Sequence, residues 1–285
     1  MKKNIFIIST IFTITYLLFI NYQYLSDTVI ISSYLFISKI LPFFIPIFII
    51  SKLLINYNLP YYISKLFNNN IYVYILVISF FIGCPSNIIL INDLLTNNII
   101  NEKEANTYIK CTFFINPLFL YSILSAIFNQ NTAILIIIIE ILSNIIIYLI
   151  KPIKNTKTAA IKSTRLIDTI NKSINDMINP LEIIYITIII FNIIILLIPN
   201  KLINFIGIIE ITKGLNFLIT YKTNQFYKLL LCIIYISFGG ISIHIQVKYL
   251  LNQKLKYSSF FIGRILQIII SIILITLYYR IITIN

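Results

Sequence analysis

One histidine, three cysteines and nine acidic residues in a chain of 285 leave little material for common catalytic or metal-binding arrangements. With His244 alone, no site built on two histidines can form. Cys84, Cys111 and Cys232 are odd in number, scattered and each set in apolar sequence, which argues against a disulfide framework or a thiolate zinc site. Such cysteines serve as small buried hydrophobes. The G-x-x-x-x-G-K-[ST], H-E-x-x-H and G-x-S-x-G patterns are all missing. The expectation is a protein that is not an enzyme and carries neither cofactor nor metal.

Charge is scarce as well. Only 11% of residues are charged, 59% are hydrophobic and the mean hydropathy is +0.95, which places the chain among multispanning membrane proteins. Apolar runs at 4–20, 29–55, 71–91, 107–128, 131–150, 181–198, 229–251 and 258–279 are each near or above the ~18–20 residues that a helix needs to cross the hydrocarbon. The expected fold is all-α and polytopic, about eight membrane segments in the cell membrane, with the lipid bilayer as partner. The net charge of +13 builds no continuous basic stripe, so nucleic acid is not expected. The basic residues read instead as topology signals. Lys151, Lys154, Lys157, Lys162, Arg165 and Lys172 crowd one polar connector, which the positive-inside rule makes cytoplasmic. The expected organisation is an N-terminal membrane helix at 1–28, not cleaved as a signal peptide; a first repeat plus an extra helix at 29–150; the basic loop at 151–176; and a second repeat at 177–285.

Parity then poses a problem. With the N-terminus inside, 29–55 returns to the cytoplasm near Lys52 and Lys65. If 71–91, 107–128 and 131–150 each crossed once, the basic connector would lie outside. A segment at 71–95 that enters and returns removes the contradiction. Its middle, "FFIGCPSNIIL", carries Gly83 and Pro85, which break a helix. Irregular backbone at membrane depth is tolerated only where protein or a water-filled cavity surrounds it. Placing Gly83 on Gly239 pairs "GCPSNIILINDLL" with "GGISIHIQVKYLL" and Ser86 with Ser242, while "LPFFIPIF" corresponds to the helix opening "NPLEIIYITIIIF". Interrupted segments at matching places point to inverted repeats and a transporter-like site. The plainer alternative is that isoleucine-rich helices all look alike.

Two clusters carry the polar groups of such a site. In "FGGISIHIQ", Gly239 and Gly240 precede Ser242, His244 and Gln246. On a helix Ser242 and Gln246 share a face and His244 points away; in an extended stretch all three share one side. The plain alternative is a His244 that is merely hydrogen-bonded inside the bundle. In "GIIEITKGLNFL", Glu210, Thr212 and Gly214 lie in apolar surroundings, and Glu210 reads either as a site carboxylate or as an i, i+3 partner of Lys213. Pro85, Ser86, Asn87 and Asn116 add groups from the first half, although asparagine is so common here that Asn116 alone carries little weight. Glu140, one turn before Ser143 and Asn144, is expected to face the bundle interior.

The motifs "LPFFI" (41–45), "GCPSN" (83–87), "NPLF" (116–119), "EITKG" (210–214) and "FGGISIHIQ" (238–246) give a resemblance running from about residue 35 to the end. In them the chain resembles the sporulation integral membrane protein family of the YlbJ type, within the nucleoside-recognition or Gate domain group. The resemblance implies a role in endospore formation, linked with the spore cortex, and a fold similar to the core of concentrative nucleoside transporters. Cys84 and Asn87 depart from the family's first loop, where an aromatic residue and a second glycine are usual. On this reading Ser86, Asn87, Asn116, Glu210, Thr212, Ser242, His244 and Gln246 meet a small polar solute or a coupling ion. A membrane scaffold for sporulation machinery, or a permease unrelated to sporulation, are the alternatives.

Overall fold

The structure is a computed structural model that describes residues 8, 12, 13, 15, 16, 19–153, 160 and 162–284. Among the described residues it is all-helical. Isoleucine favours strands in water, but in lipid each apolar run has to satisfy its own backbone, and the helix does so within one segment. Five helices are long and apolar enough to cross a bilayer: Tyr22–Asn56, Gln130–Ile150, Leu166–Leu196, Gln225–Leu250 and Tyr257–Arg280. The chain is therefore a membrane protein. The run at 4–20 lies largely outside the described residues.

The first of these helices joins α1 (Tyr22–Leu35) and α2 (Leu41–Asn56) through a wide π turn at Phe36–Ile40. Pro42 cannot donate to the carbonyl one turn back, which favours such a local widening. The expected division at 28/29 falls inside this unbroken helix. At 35 residues it is about 52 Å long, longer than the ~30 Å hydrocarbon core, so polar Gln23, Ser26 and Asp27 can sit in its outer turns.

A short α3 (Leu59–Leu66) leads to four half-length helices, α4 (Tyr72–Ile82), α5 (Ser86–Thr96), α6 (Glu102–Cys111) and α7 (Pro117–Ile127). Each spans about 15–17 Å, roughly half of the hydrocarbon. Next come α8 (Gln130–Ile150), α9 (Leu166–Leu196), a 3₁₀ turn at Asn200–Phe205, α10 (Ile206–Ile209), α11 (Ile211–Thr220), α12 (Gln225–Phe238), α13 (Gly240–Leu250) and α14 (Tyr257–Ile284). The basic connector is thus shorter than expected, because α9 already begins at Leu166.

Two of the breaks are hairpins and two are not. α4 packs on α5, and α10 on α11, so the chain doubles back at 83–85 and at Glu210. Neither α6 with α7 nor α12 with α13 packs in this way. The run 107–128, expected as one uninterrupted helix, is instead broken at 112–116. The segment 227–251 likewise continues past its break at Gly239.

Contacts between distant residues define one end of the molecule. Asn56 Nδ2 donates to the carbonyl of Thr164 at 3.0 Å, and the Thr164 amide donates back to Asn56 Oδ1 at 2.9 Å. Lys52 pairs with Asp93 at 2.7 Å and Asp176 at 3.0 Å. Asn92 Nδ2 donates to the carbonyl of Leu250 at 2.7 Å, and the Lys256 amide donates to Asn106 Oδ1 at 2.8 Å. Tyr72 stacks on Tyr148 with ring centres 3.7 Å apart. The hairpin α4–α5 therefore starts and finishes at this same end.

Buried apolar side chains form two clusters. The larger joins α4 to α8 with α11 to α14; the smaller joins Phe36, Phe44 and Phe48 to Met177, Ile184 and Ile188 of α9. The helix breaks lie where the two bodies meet.

Candidate functional site

Gly83 (φ +69°) turns the chain out of α4, and a Cβ there would lie 2.9 Å from the Asn116 amide nitrogen, so only glycine lets the two breaks touch. The next residues, Cys84-Pro85, are joined by a cis peptide, and the Cys84 amide donates to the Phe114 carbonyl at 2.7 Å. The second pair of breaks repeats this contact. Gly239 has φ +86°, a Cβ on it would meet the Phe113 ring at 2.6 Å, and one on Gly240 would meet the Ile211 amide nitrogen at 3.1 Å. Gly214 sits directly against Gly207, where the arms of the α10–α11 hairpin approach.

The unwound stretch 112–116 exposes carbonyls that lipid cannot satisfy. Side chains from elsewhere supply donors: Asn87 Nδ2 to Thr112 at 2.8 Å and Asn144 Nδ2 to Phe113 at 2.7 Å. Asn116 Oδ1 then caps α7, accepting from the amides of Leu118 and Phe119, both at 3.1 Å.

A cavity of about 130 Å³ opens between the breaks and the α1–α2 and α9 wall. Its polar lining is Lys39, Ser86, Asn116, Glu210, Thr212, Ser242 and Gln246; Pro85, Phe43, Phe44, Phe119, Ile184 and Ile188 are among its apolar surfaces. Six of the eight residues expected at a binding site thus come together from four separate segments. Glu210 is 2% exposed; its Oε2 accepts from the Thr212 hydroxyl and from the Lys213 amide at 2.7 Å, capping α11. The expected alternative, an ion pair with the Lys213 ammonium, does not form. Ser242 and Gln246 share one face of α13, and Gln246 Nε2 donates to Thr187 Oγ1 on α9 at 2.7 Å.

His244 and Asn87 are corrections. α13 is helical from Gly240 onward, so the extended reading of 239–246 fails and His244 points away from the cavity. Its Nε2 lies 3.1 Å from the Phe238 carbonyl, which can only accept, so Nε2 carries the proton. Nδ1 lies 2.7 Å from the Tyr257 hydroxyl, which can donate or accept there. Asn87 is fully buried against the 112–116 stretch and does not line the cavity.

A second buried polar group was not anticipated beyond Glu140. Glu140 accepts from Ser237 Oγ at 2.9 Å and from Gln267 Nε2, and Gln267 Oε1 accepts from Arg264. Arg264 is fully buried, with its guanidinium over the Phe113 ring at 4.0 Å. The available signal was a lone arginine in the apolar run 258–279, with Gln267 one turn on. Lys39, inside the run 29–55, is the other missed residue.

The arrangement is electrostatically polarised. The N-termini of α5, α7, α11 and α13 start at the cavity, while C-terminal carbonyls of α6 and α12 face Arg264. The cavity can hold a small solute with hydroxyls, an amide and a carboxylate. Comparison of the chain with family models, curated proteins and solved structures finds no match.

Proposed function

We propose that this chain is a multi-pass protein of the cell membrane that takes a small polar solute into the cavity between its helix breaks and passes it across the bilayer. One observation carries the reading: four helix interruptions from distant parts of the sequence converge on a cavity lined by buried Glu210, Ser86, Ser242 and Gln246. Buried polar groups and broken helices at membrane depth are costly, and transporters use them to hold solutes.

The reading includes an inverted repeat. Each half runs long helix, short connector helix, hairpin, broken span and closing helix: α1–α2, α3, α4–α5, α6–α7, α8, then α9, the 3₁₀ turn, α10–α11, α12–α13, α14. This order matches 83–85 with Glu210 and 112–116 with Gly239, in place of the Gly83–Gly239 equivalence read from sequence. The count becomes six crossing segments and two hairpins among the described residues. Parity then puts the basic connector, Lys254 and Lys256 on one side, as the charge rule requires.

The physiological setting follows the sequence resemblance: a role in endospore formation, at the spore cortex. The test is deletion in a spore-forming host, followed by complementation with the intact chain or with Glu210→Gln at equal abundance, scored by cortex synthesis. Rescue by the intact chain alone is expected. Rescue by both would favour a scaffold, and an unaltered cortex on deletion would remove the sporulation role.

A further inference from the structure

Three helices lead from the cavity toward the end that carries the basic connector: α2 from Phe44, α5 from Ser86 and α9 from Ile184. Next along them come apolar side chains of the smaller buried cluster, Phe48, Ile89, Leu181 and Met177. Seven or eight residues beyond the cavity, about 10–12 Å along each helix, stand Lys52, Asp93 and Asp176. The Lys52 ammonium lies 2.7 Å from Asp93, 3.0 Å from Asp176 and 5.4 Å from the centre of the Phe48 ring. Cavity, apolar layer and ion cluster thus follow one another along the same three helices.

The two ion pairs differ in what they join. α2 and α9 pack on each other in the smaller cluster, whereas the α4–α5 hairpin packs mainly in the larger one. Lys52–Asp176 therefore stays within the wall, and Lys52–Asp93 ties the wall to the hairpin. The side chains of that second pair are only 13% and 20% exposed, so either charge left alone would be poorly compensated.

Both wall helices are weakened between the cavity and the ion cluster. Pro46 lies inside α2 between Phe44 and Lys52, and Pro180 inside α9 between Ile184 and Asp176. Pro180 has no amide hydrogen for the carbonyl of Asp176, nor Pro46 for that of Pro42, and helices bend where such a bond is missing. The corresponding stretch of α5 contains neither proline nor glycine.

We infer that Lys52 and Asp93 form the latch of a cytoplasmic gate. Breaking their bond frees the ends of α2 and α9 to swing from α5 about Pro46 and Pro180, which uncovers the cavity past Phe48 and Ile89. This rests on the reading of the cavity as a solute site, and it assigns the route between that site and the cytoplasm.

The test uses the full chain with Cys84, Cys111 and Cys232 replaced by alanine and Ser242→Cys as a reporter in the cavity. Trimethylammonium-ethyl methanethiosulfonate, which does not cross lipid, is applied to inside-out and to right-side-out vesicles. From the cytoplasmic face, Lys52→Gln and Asp93→Asn should each raise the modification rate about three- to tenfold, because the rate follows the open fraction. The two substitutions change the local charge in opposite senses, so a common acceleration is not a charge effect on the reagent. Asp176→Asn, which spares the bond between wall and hairpin, should accelerate less. Lys52→Asp combined with Asp93→Lys should restore the slow rate, and Pro180→Ala should slow the Asp93→Asn chain by completing the α9 hydrogen bonds. Unchanged rates, or acceleration from the outer face, overturn the gate and leave the cavity standing, with the ion cluster a static clamp. No reaction in any variant from either face, while a control cysteine at exposed Asn98 reacts, defeats the cavity reading itself. Asp93→Asn alone decides if Lys52→Gln does not accumulate.

Discussion

Arg264 donates from Nη2 to the carbonyl of Lys110 at 3.2 Å, tying α14 to the last turn of α6. Its Nη1 lies 3.4 Å from the Ser237 carbonyl in the last turn of α12. One guanidinium therefore serves the negative ends of both broken spans. Gly263 beside it permits the approach, since any Cβ there would collide with the Lys110 carbonyl.

Arg264→Met is accordingly expected to destabilise the protein by about 3 kcal/mol or more, because two carbonyls and the Glu140 carboxylate lose their compensation in a buried site. Thermal unfolding in detergent measures it. Lysine should not rescue, having a single ammonium where the fork reaches two helices. Glu140→Gln combined with Arg264→Met should cost less than the sum of the two singly; strict additivity would mean that the network is not a unit.

The unwound stretch at 112–116 gives a second expectation. Asn144→Leu and Asn87→Leu each strand a buried carbonyl and should lower stability by about 1–3 kcal/mol, although neither residue touches the cavity. Asn116→Ala removes a helix cap and should cost about 1 kcal/mol. If both leucine variants unfold at the wild-type temperature, side-chain support of the break is wrong.

His244 and Gln246 should separate stability from function. Gln246→Ala removes a cavity wall and should impair solute handling at normal abundance. His244→Ala breaks the Phe238–Tyr257 bridge and should act through stability, non-additively with Tyr257→Phe. A His244→Ala protein with wild-type stability but no activity would return His244 to the site.

The sequence made these positions unequally legible. Gly83 and Pro85 announce a break by their own backbone chemistry, and Glu210 stands out against its apolar neighbours. The break at 112–116 is marked only at its end, by Pro117, which disfavours helix at Asn116. "CTFFINP" contains no glycine, and its conformation is held by Asn87 and Asn144, residues 25 and 31 positions from the carbonyls they serve. The polar–apolar alternation at 242–246 resembles a strand, yet glycine interrupts the helix only before Ser242; from there intrahelical bonds decide, and alternate residues diverge. The expected boundary at 28/29 followed the two apolar runs 4–20 and 29–55, whereas the actual helix Tyr22–Asn56 runs through it and overshoots the hydrocarbon. Arg264 and Lys39 were hidden by averaging over apolar runs, where a single charge barely moves the mean.

The last expectation concerns which loops share a side. Asn56 bonds to Thr164, Lys52 to Asp93 and Asp176, Asn92 to Leu250, and Asn106 to Lys256. The loops around Tyr57, Asn98 and Lys254 therefore belong to the end that carries the basic connector, and the positive-inside rule makes that end cytoplasmic. α7 and α8 meet at the opposite end near Gln130, and α12 starts there after Lys222. Single cysteines at Tyr57, Asn98 and Lys254, all at exposed positions, should be labelled by an impermeant maleimide only in opened vesicles. Cysteines at Gln130 and Lys222 should be labelled from outside in intact cells. Tyr57 and Asn98 on opposite sides would mean that 72–96 crosses the membrane. The α4–α5 contact would then be incompatible with the bilayer orientation, and the hairpin would have to be abandoned. Lys254 outside would have a different consequence, making α12–α13 the re-entrant segment and detaching Ser242 from the side of the cavity that Ser86 enters.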